Sequence, residues 1–237
     1  NYFITLGVAN STTKNYFIVF KVFLRWCFER GFTKNNNFEK YRYKMKNEVG
    51  NIALTWAEVQ QLENAKLSLP KLVRVRDIFF FQLYTGQRIS DVLNFSINDV
   101  RNDVWYLKQK KTSKIVEIPL ISQALEILAK YNYEIPQFST HFLNVNLKML
   151  GKEAGLNEMV KTYSSVGAEN IEKLCPKYEL LSTHVARRTF VSLACYSNIN
   201  SQVIKSYTGH STEKLIERYF KVNAAESRAK ITEIFNN

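Results

Sequence analysis

A mainly helical (α+β) fold with one small antiparallel sheet is what this sequence predicts. Three observations point there. Apolar residues recur at helical spacing through most of the chain. Helix-start signals precede three of these segments, the clearest being Thr55-Trp56-Ala57-Glu58, which has the capping-box pattern. Only Val104 to Ile118 reads as two short strand-like runs joined by a polar stretch, the pattern of a hairpin.

The elements follow in order. Ser11 to Arg30 reads as a helix, with Ser11 or Thr12 as its cap and Phe17, Phe20, Leu24 and Phe28 at helical spacing. Gly31 is a plausible stop. Asn35-Asn36-Asn37 and the basic run Lys40 to Lys46 lead to Gly50, so residues 35–51 read as a linker. A helix starts after Thr55, and a second runs from Lys71 to Tyr84 and ends at Gly86. A short one follows from Ser90. Val104 to Lys108 and Ile115 to Ile118 are the two strands, with Gln109 to Lys114 between them and Pro119 closing the hairpin. Helices resume over Ser122 to Tyr131, Thr140 to Ala154, Thr183 to Tyr196, Ser201 to Tyr207, Ser211 to Phe220 and Ala224 to Phe235. Residues 156–180 are ambiguous.

The chain has 237 residues, 46% of them hydrophobic, enough for a sizeable core. It begins at Asn1 rather than Met, and a preceding segment is expected. Lys and Arg number 33 against 21 Asp and Glu, a net charge of +12. That excess favours a polyanionic partner. Cys27, Cys175 and Cys195 are far apart and form no CxxC pair, which argues against a disulfide framework and a zinc site and fits a reducing cytosol. No secretory signal pattern stands at the N-terminus. The longest apolar runs, such as Ile78 to Leu83, are far too short to span a bilayer.

Four short stretches concentrate the polar groups that phosphoryl transfer needs. In Thr85-Gly86-Gln87-Arg88-Ile89-Ser90-Asp91, Gly86 lets the chain leave a helix with positive φ. Arg88 then sits at a junction between helices, and its guanidinium can hold two phosphate oxygens. Asp91 lies one turn along and can hold Arg88 in place. The second stretch is the hairpin turn with Lys108, Lys110, Lys111 and Lys114. A basic loop can reach a DNA groove, and an ammonium can donate a proton. Spacing alone does not choose among these lysines.

The third stretch is His184-Val185-Ala186-Arg187. Residues three apart share a helix face, so His184 and Arg187 can converge on one phosphate. Arg188 is rotated about 100° from Arg187 and is expected to point elsewhere. The fourth is Gly209-His210-Ser211 with Tyr219 beyond. With Ser211 as an N-cap, His210 lies outside the helix and Tyr219 inside it, so the two can approach one site from different elements. A phenol titrates near pH 10 and needs a base or cationic neighbours to become a nucleophile. Singly, each stretch has an ordinary structural explanation: a surface ion pair, a solvated turn, a histidine at a helix start, a core tyrosine. Their joint presence and order carry the argument.

In that order the motifs resemble those of the phage integrase family, the tyrosine site-specific recombinases. The likeness covers Thr55 to Phe235. Thr85 to Asp91 looks like the family's first-arginine motif. Lys111-Thr112 with Ile115 to Leu120 looks like its hairpin lysine and the strand ending in Ile-Pro-Leu. His184 and Arg187 match its His-x-x-Arg box, and Gly209-His210 its Gly-His, with Tyr219 at the usual distance beyond. The sequence departs from the pattern at Arg188, where many members carry a second His, and at Thr208, where Leu is common.

The resemblance implies a mechanism. Tyr219 attacks a backbone phosphate, the 5′-hydroxyl leaves, and a 3′-phosphotyrosyl link forms. Arg88 and Arg187 clamp the nonbridging oxygens, Lys111 protonates the leaving oxygen, His184 takes or relays the Tyr219 proton, and His210 hydrogen-bonds the phosphate. Lys108, Lys110 and Lys114 would touch DNA. No cofactor and no metal are implied. The partner is double-stranded DNA, on which the family forms tetramers, a state that allows a monomer in solution, and neither a membrane nor a small-molecule substrate is expected. The setting is the bacterial cytoplasm, at the nucleoid. Residues 1–34 are expected to be the C-terminal part of a helical core-binding domain, 35–51 a linker, and 52–237 the catalytic domain, with the Ala224 to Phe235 helix docking on a neighbouring subunit. The outcome would be integration or excision of a mobile element, or DNA inversion. Two rivals share the scaffold: a type IB topoisomerase-like enzyme that relaxes one duplex, which an assay with two duplex sites separates, and a silent DNA-binding regulator, which has no need of Tyr219.

Overall fold

The computed structural model describes residues 2–43 and 52–209. The helices expected over Ser211 to Phe220 and Ala224 to Phe235, and with them His210 and Tyr219, lie outside the described residues. The chain divides into two units, residues 1–51 with 159–175, and residues 52–158 with 176–237.

In the first unit, α1 (Tyr2–Thr5) precedes α2 (Asn10–Glu29). The start of α2 differs from expectation. Its N-cap is Ala9, with no side-chain cap bond, and Ser11 and Thr12 fall inside the first turn. Asn10 puts its amide to another use: Nδ2 donates to the Gly167 carbonyl at 2.8 Å and Oδ1 accepts the Gly167 N–H at 2.8 Å. Gly167 is the tip of a hairpin, β4 (Met159–Val166) and β5 (Glu169–Pro176), which resolves most of the ambiguous segment. At the other end of α2, Gly31 takes φ +77°, as a helix stop requires. Residues 37–39 form a 3-10 turn. Arg25 fastens the turn by donating twice to the Glu39 carboxylate, at 2.8 and 3.0 Å. Ile18, Val19, Phe20, Val22, Phe23 and Trp26 remain exposed along α2.

The second unit begins with α3 (Trp56–Glu63). Both halves of the Thr55 capping box are present: the Thr55 hydroxyl accepts the Glu58 N–H, and the Glu58 carboxylate accepts the Thr55 N–H. Thr55→Ala is therefore expected to cost roughly 1 kcal/mol of stability, read as a lower urea midpoint with an unchanged slope. An unshifted midpoint would show that the cap is replaced by water.

α4 (Pro70–Thr85) starts with Pro at its first turn, where the missing N–H costs nothing, and it ends at Gly86. It buries Leu72, Val75, Ile78, Phe79, Phe80, Phe81 and Leu83, so it is apolar around most of its circumference. That suits a central helix, and α6 (Ser122–Lys130), α7 (Thr140–Glu153) and α8 (Thr183–Tyr196) all pack on it. α5 (Ile89–Val92) is a single turn, and α9 (Ser201–Thr208) follows α8.

A three-stranded antiparallel sheet lies beside them in the order β1 (Val100–Arg101), β2 (Val104–Lys108), β3 (Ile115–Pro119). β2 and β3 have the expected bounds within a residue. β1 was not expected: it has only two residues, too few to show alternation. It is joined to β2 through Asn102 and Asp103, both at positive φ, as a tight two-residue hairpin turn prefers. Trp105 pairs with Ile118 and Leu107 with Val116, and all four are buried. Trp105 packs against Phe81 and Phe95, with ring centroids 6.1 and 5.2 Å away. The sheet is thereby pinned to the core by one face, and its loop from Gln109 to Lys114 is held out from the β2–β3 end.

Candidate active site

Gly86 caps α4 in the left-handed conformation, φ +63°. A methyl group there would meet the Phe190 ring, 2.6 Å from Cδ1, so both the turn and the close packing of α8 call for glycine. The turn delivers Arg88 to the N-cap position of α5, in extended backbone. From α8, Arg187 reaches the same turn. It is 3% exposed, and it donates Nη1 to the Gly86 carbonyl at 3.0 Å and Nη2 to the Thr208 carbonyl at 2.7 Å. Gly209 then ends α9, again left-handed, at φ +67°. Three segments far apart in sequence, Gly86–Arg88, Arg187 and Thr208–Gly209, thus share one spot.

The hairpin reaches that spot through Gln109. Its Oε1 accepts Arg88 Nη1 at 3.1 Å and the Thr112 hydroxyl at 2.8 Å. Its Nε2 donates to Gln87 Oε1 and to the Thr208 carbonyl, both at 2.9 Å. The expected grip of Asp91 on Arg88 is a loose one, 4.0 Å from Oδ2 to Nη1. The shorter bond of Asp91 goes to the hairpin, where Oδ1 accepts the Lys110 N–H at 3.0 Å. Asp91 is 1% exposed, so the loop is rooted on a buried carboxylate. Lys108, Lys110, Lys111 and Lys114 are all exposed.

His184 also faces this region. His184 is exposed, and its pKa is lowered first by partial loss of hydration, then by the charges of Arg188, Arg187, Arg88 and Lys111. These four cations acting on one imidazole define a strongly positive locality. Arg188 is the foremost of these charges. The reason is its spacing from His184: four residues, one helical turn. A lowered pKa keeps the imidazole neutral at pH 7, able to accept a proton.

The sequence does not single out Gln87 and Gln109, which read as turn and loop polarity. One signal was present: Trp105, Leu107 and Gln109 are two apart, so Gln109 continues the inward face of β2. Among the described residues, no group of three or more His, Cys, Asp or Glu stands close enough to hold a metal ion. No described helix is long and apolar enough to cross a membrane.

Fold and site together define a helical domain that gathers arginines around a sheet-borne basic loop. The sequence profile of the phage integrase family matches residues 53–226, and the chain belongs to that family. No curated protein matches it. Its fold is that of lambda integrase: it is similar to a lambda integrase dimer bound to a COC′ core site, with TM-score 0.69 and 18% identity over 94% of this chain and 77% of that one. The Tn1549 transposon integrase in complex with circular intermediate DNA has TM-score 0.64 and 15% identity, over 97% and 81%. XerA recombinase has TM-score 0.57 and 18% identity, over 77% and 63%. The chain thus spans under two thirds of the XerA chain.

Proposed function

We propose that this chain is a site-specific DNA recombinase that cuts and rejoins strands through a 3′-phosphotyrosyl intermediate. The observation that supports it best is the meeting of Arg88 and Arg187, from α4–α5 and α8, beside a cationic hairpin and the Gly209 that leads in sequence to His210. Tyr219 Oη attacks phosphorus, the bond from phosphorus to the 5′-oxygen breaks, and Lys111 protonates that oxygen. His184, neutral before attack, takes the phenol proton. Arg88 and Arg187 stabilise charge on the nonbridging oxygens, and His210 hydrogen-bonds one of them. Attack by a 5′-hydroxyl from another strand reverses the steps. Phosphodiester energy is stored in the protein link, so no ATP is consumed.

The partner in this reading is double-stranded DNA, contacted by Lys108, Lys110 and Lys114, with a tetramer as the recombining assembly. The setting is the bacterial cytoplasm, at the nucleoid. Residues 52–237 are the catalytic domain, in keeping with a family match that starts at residue 53. Residues 1–34 are the C-terminal part of a core-binding domain and 35–51 the linker. The exposed apolar residues of α2 suit a helix that packs in a larger helical domain.

The test is covalent trapping on a duplex nicked so that the cut end diffuses away. A denaturation-resistant complex should form, and peptide mapping should place the nucleotide on Tyr219. Attachment elsewhere, or none, refutes the reading. Affinity should also fall steeply with salt, by a log–log slope of roughly −0.9 for each phosphate neutralised. Anisotropy titrations at several salt concentrations give that slope, and a flat line would mean that the +12 charge does not meet the backbone.

A further inference from the structure

We propose that Gln109 is a positioning residue of this site: its carboxamide ties the root of the basic hairpin to Arg88 and to the Thr208–Gly209 segment, so that the three are presented to DNA as one unit. The role rests on the recombinase reading, but the tie itself does not.

A primary amide has two N–H donors and one oxygen with two lone pairs. Gln109 uses all four, with donations to Gln87 Oε1 and the Thr208 carbonyl, and acceptances from Arg88 Nη1 and the Thr112 hydroxyl. The partners also fix which way the amide points. A guanidinium only donates, so it must face oxygen, and a carbonyl only accepts, so it must face nitrogen. Gln87 is held likewise, since its Nε2 donates to the Thr85 carbonyl at 2.9 Å and the Tyr207 carbonyl at 2.8 Å. The side chain of Gln109 is buried, at 1% exposure.

Two further features place this amide at a junction. Gly209 lies so close that a methyl group built on it would overlap the Gln109 carboxamide. The last β2–β3 pair is Lys108 with Ile115, and just beyond it the Gln109 N–H donates to the Lys114 carbonyl at 2.8 Å, where the loop begins. The hairpin's grip on the core is apolar, through Trp105, Leu107, Val116 and Ile118. Its aim, by contrast, is set by polar contacts at Gln109 and Asp91. Replacing Gln109 should therefore spare folding and disturb aim.

The experiment uses the full chain with Gln109→Leu and Gln109→Glu. Without DNA, amide hydrogen exchange reads the tie. Gln109→Leu loses all four side-chain hydrogen bonds, and exchange should speed on the order of tenfold, as expected for one or two lost in each region, in both the 109–114 loop and the 205–209 segment. Peptides from α4 should not change. Gln109→Glu keeps acceptors for Arg88 and Thr112 but has no donor, so only 205–209 should loosen. If only one of the two regions responds to Leu, or every peptide does, the coupling is wrong. If Leu fails to fold, the Glu pattern decides. With DNA, both variants should cleave more slowly even at saturation, a loss in kcat beyond any change in KM. Parental cleavage by Gln109→Leu overturns the positioning role whatever exchange shows. A parent that never links to DNA refutes the recombinase reading instead, and the exchange pattern still judges the tie.

Discussion

Tyr219→Phe is expected to abolish covalent DNA attachment while leaving DNA affinity close to parental. Only the phenol oxygen is lost, so the shape and apolar character of the side chain persist. The phenol is a weak nucleophile at pH 7, about three units below its ordinary pKa. It depends on cationic surroundings and a proton acceptor. The described part of the site offers both kinds of group, four cations around a His184 whose pKa is lowered. None of these described groups is a phenol, so no substitute nucleophile is expected among them. The measurement is a denaturing gel of protein incubated with a nicked duplex, beside an anisotropy titration of the same variant. A shifted band with Tyr219→Phe means that another residue attacks. Loss of both band and binding means that the variant has lost its fold or its DNA surface, and circular dichroism separates those two.

Lys111→Ala should slow cleavage by roughly 10²–10⁴-fold on ordinary DNA, the range for loss of a general acid. It should recover nearly fully on a bridging 5′-phosphorothioate, because sulfur leaves without being protonated. Arginine variants should not recover, since charge on the nonbridging oxygens builds up with either leaving atom. The geometry says which arginine makes the cleaner comparison. Arg187 is buried and donates to the Gly86 and Thr208 carbonyls. Its truncation strands those carbonyls and loosens the junction of α4, α8 and α9, so its rate loss mixes chemistry with structure. The Arg88 side chain is 20% exposed and bonds chiefly to Gln109. Arg88→Ala should thus lose cleavage, without sulfur rescue, at smaller cost in stability. Rescue at Lys108, Lys110 or Lys114 in place of Lys111 would keep the hairpin role and move the acid. Rescue at none of the four would place it elsewhere.

Much of this protein is local and therefore readable in the sequence. The start of α3 is fixed by contacts between Thr55 and Glu58, and the end of α4 by the one residue type that enters the left-handed region freely, Gly86. α8 was legible to the residue from its periodicity. The Arg88 candidate follows from its place just after the Gly86 helix stop, His184 and Arg187 from their spacing on one helix, and the family from the order of such motifs.

Tertiary structure decided what depends on pairing between distant segments. Residues 156–180 have little apolar periodicity, and their hairpin is held at its tip by Asn10, more than 150 residues away in sequence; the same contact takes Asn10 into tertiary bonding at the α2 start, where Ser11 or Thr12 had been expected to cap. Above all, a glutamine among lysines carries no chemistry of its own on paper. Gln109 matters because Arg88, Gln87, Thr112 and Thr208 stand around it, and a carboxamide's meaning lies in its partners, which only the fold brings within 3.1 Å.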